Sequence, residues 1–187
     1  MDTTVRLLET QIKQRLSGID EYEPVQMNTR LGALLDQYDL PRAAKLACLT
    51  IDTSMRHLDS IDFDVSSKNA ILIGDLLSAH FYTLLADMQD AQYQLRMSEA
   101  IITVNELKSA IHHQTLSGDA LVSAIINIEM TFPYITIAHF APQSHLHALH
   151  DALVESLSET LPSYLQHYSK DEMSTLIENV EKHLKVK

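Results

Sequence analysis

The chain has 187 residues, 45% hydrophobic and 21% charged, with only four glycines and five prolines. This composition excludes disordered, collagen-like and loop-dominated chains and suits one compact domain spanning 1–187. A single cysteine, Cys48, excludes a disulfide framework and any CxxC pair, polar Glu9, Gln11 and Lys13 arrive too early for a signal-peptide core, and the net charge of −11 repels phosphate backbones and anionic lipid, so a cytoplasmic protein with no nucleic-acid partner is expected.

Helical periodicity runs along the chain and no alternating β-branched run competes with it, so the sequence predicts an all-α fold, an antiparallel helical assembly. Val5, Leu8, Ile12 and Leu16 form an apolar stripe that Ser17-Gly18 ends, and the acidic stretch from Asp20 to Pro24 reads as a loop. This N-terminal helix and loop, residues 1–26, precede a helical core over 27–187. A second helix is predicted from Met27 to Gln37, and a third from Asp39 as N-cap, with Pro41 in its first turn, towards Leu58. The polar segment Ser60 to Ser67 reads as irregular. From Asn69 to Met88 the chain is apolar around most of a helix's circumference, which marks a central helix. Gly74, Asp75 and His80 interrupt it, so no membrane span is expected. A further helix covers Asp90 to His113, with Leu95, Ile102, Val104, Leu107 and Ile111. Another covers Ala120 to Ala141, which Glu129, Pro133 and His139 interrupt. Pro142 opens the next helix and Pro162 a short one, and Ser169 with Glu172 forms a capping box for the last.

None of the 14 cations lies between Lys108 and Lys170. The window from Ser109 to Ser169 holds five formal charges, Asp119, Glu129, Asp151, Glu155 and Glu159, yet seven of the ten histidines. Such a segment is either deeply buried or faces an apolar partner or ligand. His139, His145, His147 and His150 cluster within it, and His147, His150 and Asp151 fall at helical spacing suited to Zn²⁺ or Fe. The order His113, His150-Asp151, Asp171 resembles HD-type metal phosphohydrolases; polar histidines on an amphipathic helix are the plainer account. Cys48, inside Ala47-Cys48-Leu49, reads as a core thiol.

The segment His57-Leu58-Asp59-Ser60-Ile61-Asp62 stands at a helix end, and Gly74-Asp75-Leu76-Leu77-Ser78-Ala79-His80-Phe81 follows it. Carboxylates three or four apart on a helix share a face and can bind Mg²⁺, which in turn holds a diphosphate. An acidic helix end running into a solvated loop accounts for the same residues. In order, the two segments resemble the HDDxxD and AGDxLxAxAFxxL motifs of trans-prenyl diphosphate synthases. The stretch Ile73 to Gln114 is similar to the small components (component I) of heterodimeric heptaprenyl diphosphate synthases, and the similarity covers about Leu31 to Phe140.

The departures from the pattern carry as much as the matches. Leu58 stands where the motif has its first aspartate, with Asp59 and Asp62 at the other two positions. No Arg-Arg-Gly follows, no Asp-Asp pair exists anywhere in the chain, and Met130-Thr131 stands where the family carries Lys-Thr. Ionising an allylic diphosphate requires metals and cationic side chains on the leaving group, and these are missing. The resemblance therefore implies a truncated isoprenoid-synthase fold and a non-catalytic subunit with no metal or cofactor of its own. Asp59 and Asp62 would be remnants, and Gly74 and Asp75 scaffold residues. It implies a larger catalytic partner, component II, that carries both aspartate-rich motifs and Mg²⁺. Together they would condense isopentenyl diphosphate with farnesyl diphosphate to the heptaprenyl chain of menaquinone, this subunit being able to contact the growing prenyl chain. The helices Ala70 to Met88 and Asp90 to His113 would face the partner, with Leu77, Phe81, Leu84 and Leu85 foremost. An HD-like metal-dependent phosphohydrolase and a helical adaptor without enzymatic role are the alternatives.

Overall fold

In the computed structural model, residues 3–18, 25–60, 68–144, 147–159 and 161–185 are described. Among them lie eight α-helices, one short 3-10 helix (Ser163–Leu165) and no strand. The helices are α1 (Thr4–Arg15), α2 (Thr29–Asp36), α3 (Arg42–Asp59), α4 (Lys68–Met88), α5 (Ala91–His112), α6 (Gly118–Phe140), α7 (His147–Glu159) and α8 (Lys170–Lys185).

Short polar side chains start the helices by taking up first-turn N–H groups that have no intrahelical acceptor. Asn28 Oδ1 accepts from Leu31 N–H at 3.0 Å, and Asp90 Oδ1 from Tyr93 N–H at 2.9 Å. The capping box of α8 forms as expected, with Glu172 accepting from Ser169 N–H at 2.8 Å. Two expected starts differ. Asp39 does not cap α3; Pro41 holds the N-cap position at φ −54 and ψ 136, and its carbonyl accepts from Ala44 and Lys45 N–H. The ring fixes φ, so the helix begins one residue after the proline without a side-chain cap. Pro142 opens no helix: it lies in a turn closed by Ser144 N–H to Ala141 O at 2.9 Å, and α7 begins at His147. The acidic loop Asp20 to Pro24 and the segment 61–67 lie outside the described residues.

The chain divides into two compact units, Met1–Gln94 with Thr136–Ser144, and Leu95–Ile135 with His145–Lys187. In the first unit α3 is the most enclosed helix, buried without a break from Leu46 to Met55. This differs from the expectation that the helix around Ala70 to Met88 is central. The polar residues of α3 allow it: Thr50 and Thr53 donate to the carbonyls of Leu46 (2.6 Å) and Leu49 (2.7 Å), so their hydroxyls are satisfied within the helix. Leu8, Ile12 and Leu16 of α1, Leu31, Leu34 and Leu35 of α2, and Ile73, Leu77, Phe81, Leu84 and Leu85 of α4 complete this core. Asp36 ties α2 to α1, its carboxylate accepting from Thr4 N–H (3.1 Å) and Thr4 Oγ1 (2.5 Å). Buried Tyr93 reaches Thr136, hydroxyl to hydroxyl, at 2.8 Å, and His139 Nε2 lies 2.8 Å from Asp90 Oδ2.

The second unit buries Met97, Val104 and Ile111 of α5, Leu121, Val122, Ile125 and Ile128 of α6, Leu149, Leu153 and Leu157 of α7, and Met173 and Val180 of α8. Tyr164 OH donates to Glu129 Oε1 at 2.8 Å, and Lys108 Nζ sits 5.6 Å from the Tyr164 ring centre. Burial of α6 thus accounts for much of the stretch without cations. By length and composition alone, Ala70–Met88 and Gly118–Phe140 are each apolar enough to cross a membrane. Both place apolar side chains in the interior of their units, as core helices do.

His80 on α4 is the least satisfied polar group of the first core. Its Nε2 lies 2.8 Å from Gln11 Oε1 of α1, while Nδ1 is buried with no hydrogen-bond partner. Burial and then the charge of Arg15 pull His80 down to about 4, against a pull upward from Asp87. The folded state therefore binds fewer protons than the unfolded chain, whose histidine titrates near 6.5. Stability from this group is complete above pH 6.5 and is lost as pH falls from there towards 4. Denaturant titrations of the chain across that window should show a fall of about 2 kcal/mol, which His80→Gln flattens.

Candidate functional site

The two motif segments meet where the C-terminal half of α3 runs antiparallel to the N-terminal half of α4. Ser54 Oγ donates to the Gly74 carbonyl at 3.1 Å and lies 2.9 Å from Ser78 Oγ. One turn further along α3, Leu58 lies against Gly74. A Cβ built on Gly74 would overlap the Leu58 side chain, with Cγ only 2.7 Å away. His57 Nε2 donates to the Ala70 carbonyl at 2.9 Å. Gly74 is thus the notch that lets the two helices close, and Leu58 is the side chain that uses it.

This arrangement bears directly on metal chemistry. The position of the motif's first aspartate holds an apolar side chain packed on a helix, Asp59 is exposed at the end of α3, and Asp62 lies outside the described residues. Asp75 is exposed on α4. Among the described residues no three His, Cys, Asp or Glu side chains are grouped to hold a metal ion. Bridging divalent ions on a diphosphate need several carboxylates together, and this donor set does not fit them.

The histidines do not converge either. His113, His147, Asp151 and Asp171 are exposed and His150 is half-buried, all in the second unit. The His147 and His150 rings stand 6.4 Å apart, edge to face. His139 belongs to the first unit, where it pairs with Asp90, and His145 lies outside the described residues. Asp90 accepts from Tyr93 N–H and from His139, and these bonds hold its carboxyl below the usual range. Cys48 is a core thiol: burial pushes it up to about 12, partly offset by a hydrogen bond with Thr136, so it is not a nucleophile.

The four residues expected foremost at a partner surface are interior. Leu77, Phe81, Leu84 and Leu85 are all buried within the first unit, Phe81 completely. They form the inward stripe of α4, and an intact core leaves them nothing to offer a second chain. The outward stripe is Leu72, Asp75, Ala79, Tyr82 and Ala86, with Ile71 beside it, all exposed; Leu72 is 57% and Tyr82 45% accessible. The i, i+3, i+7, i+10 spacing of Leu72, Asp75, Ala79 and Tyr82 was legible in the sequence. On a helix apolar nearly all round it gave no reason to choose one face over the other. On α5, Leu95 and Ile102 are likewise exposed, two turns apart.

Comparison with known proteins bears on the same segments. A family model described as hexaprenyl diphosphate synthase, small subunit, matches residues 2–135. The crystal structure of heptaprenyl diphosphate synthase from Staphylococcus aureus is similar at 48% sequence identity and a TM-score of 0.87, over 96% of this chain and 98% of that one.

Two stability experiments follow from this geometry. Phe81→Asp places a carboxylate in a fully enclosed site and should unfold the lone chain, since even Phe81→Ala should cost about 3–5 kcal/mol. Tyr82→Asp, one residue on, should change unfolding free energy by less than ~1 kcal/mol. Gly74→Ala should be more favourable in a Leu58→Ala background than in the wild type by about 1 kcal/mol or more. The helix-propensity gain of alanine is then no longer opposed by overlap. Additive effects in that double-mutant cycle would contradict the notch.

Proposed function

We propose that this chain, which belongs to the family of hexaprenyl diphosphate synthase small subunits, is the non-catalytic subunit of a long-chain trans-polyprenyl diphosphate synthase. The observation that carries the reading is Leu58 on Gly74: the helix scaffold of the prenyl synthases is kept, while the position of a metal-binding aspartate is spent on packing. A catalytic large subunit supplies both aspartate-rich motifs, Mg²⁺ and the cations that hold the leaving diphosphate. The pair condenses isopentenyl diphosphate with farnesyl diphosphate. A heptaprenyl product, as used for the menaquinone side chain, is favoured by the likeness to the Staphylococcus aureus synthase.

What this chain contributes is surface. The outward stripe of α4 is the face we assign to the catalytic subunit. An apolar face of this kind resembles a domain core cut in half, as obligate interfaces do. Leu58, 37% exposed, and Ile71, 41% exposed, lie towards the end where the metal site of a catalytic chain would stand, and are the side chains suited to touch the hydrocarbon of the growing product. The chain itself holds no metal or cofactor, and its working compartment is the cytoplasm. The HD-type reading lacks a grouped metal-ligand set among the described residues. The adaptor reading gives way to membership of a synthase family.

Prenyl transfer should be measured with this chain alone, with the catalytic subunit alone and with both mixed. Only the mixture should turn over farnesyl and isopentenyl diphosphates at an enzymatic rate of ~1 s⁻¹ or more. Turnover by this chain alone would overturn the assignment. In the mixture, Asp59→Ala combined with Asp62→Ala should keep the maximal rate within about tenfold, or ~1.4 kcal/mol of barrier. A loss of several orders of magnitude with the heterodimer intact would show that this subunit donates a metal ligand.

A further inference from the structure

The second unit brings together two histidines that prenyl transfer leaves unused. His112 is the last residue of α5 and His167 follows the 3-10 helix, and their ring centres stand 5.5 Å apart at an interplanar angle of 62°. Both are exposed, and neither makes a hydrogen bond or ion pair with any described residue, so their nitrogen lone pairs remain available. The segment that carries His167 is held in place. Leu165 is fully buried, Tyr164 OH donates to Glu129 of α6, and Tyr168 N–H donates to the Leu165 carbonyl at 3.1 Å. Lys108, one turn before His112, sits over the Tyr164 ring. The negative end of the α5 helix dipole lies at His112, and it favours a cation there.

An imidazole nitrogen binds Zn²⁺ at about 2.1 Å, so two rings that share one tetrahedral ion have centres roughly 5–5.5 Å apart. His112 and His167 stand at that separation, whereas His147 and His150, at 6.4 Å, are wider. We propose that His112 and His167 form a two-histidine site for an exchangeable divalent transition ion of the imidazole-preferring class, Zn²⁺ or Cu²⁺. Water completes the coordination, because two protein donors leave half of a tetrahedral ion open. The ion clamps the end of α5 to the segment that leads into α8 and takes no part in prenyl transfer. His113 also lies near, its ring centre 5.2 Å from that of His112, but the two are neighbours on one helix end and an ion between them would join nothing across the fold.

The test is a calorimetric titration of the tag-free full-length chain with Zn²⁺ alone, for wild type, His112→Gln, His167→Gln, His113→Gln and His147→Gln. The melt of each metal-free variant is the control for folding. Wild type should take up Zn²⁺ in a way that EDTA reverses, and should melt higher with the ion than without it, since binding to the folded state stabilises that state. His112→Gln and His167→Gln should each weaken uptake at least about tenfold with metal-free melting unchanged, while His113→Gln and His147→Gln keep it. Electron paramagnetic resonance with Cu²⁺ as the probe reads the donors directly: coupling to a pair of imidazole nitrogens in wild type should fall to a single one in His112→Gln and in His167→Gln. Absence of Zn²⁺ uptake by wild type would overturn the site. So would uptake that survives both His112→Gln and His167→Gln, or a loss that follows His113 or His147 in place of His167.

Discussion

The first unit is registered on the close crossing of α3 and α4, where the missing side chain of Gly74 admits Leu58. A Cβ at position 74 would overlap the Leu58 side chain, so the glycine makes room for it. The hydroxyl of Ser54 then reaches the Gly74 carbonyl and the hydroxyl of Ser78, so polar groups buried by the approach are paired rather than stranded. With that register set, every third or fourth residue of α4 after Gly74 turns inward. Leu77, Phe81, Leu84 and Leu85 fill the core, and the opposite stripe is left to solvent.

The same contact accounts for one departure of this chain from the prenyl synthase motif. A catalytic chain needs a carboxylate at the end of α3 to hold metal. Here the residue is a leucine whose contact with Gly74 contributes to packing. A leucine at this position has no oxygen to offer a metal ion, so its contact with Gly74 and metal binding are alternative uses of one position. The neighbouring Asp59 remains at the surface.

Away from this crossing, polar pairs bind the ends of the longer helices into the first unit. Tyr93 in the first turn of α5 meets Thr136 in the late part of α6, and Thr136 also hydrogen-bonds Cys48 of α3. Asp90 caps α5 and accepts from His139 at the same time. Buried polar groups that satisfy one another admit fewer alternative packings than apolar contacts alone.

The sequence by itself determined the helical class, most helix positions, the capping box at Ser169 and the missing metal-binding residue types. These depend on local periodicity, on capping chemistry and on residue types that are present or absent. It placed Gly74 and Asp75 in a motif, yet it could not tell that Gly74 receives Leu58, because that contact joins residues sixteen positions apart through the register of two helices. It misjudged α4 for a related reason. A helix apolar around most of its circumference has no preferred inward direction in its own periodicity, so Phe81 and Tyr82 were indistinguishable until neighbours chose between them. The tertiary structure made that choice: burial is decided by what packs opposite, and the first unit's core enclosed Phe81 while leaving Leu72, Asp75 and Tyr82 exposed.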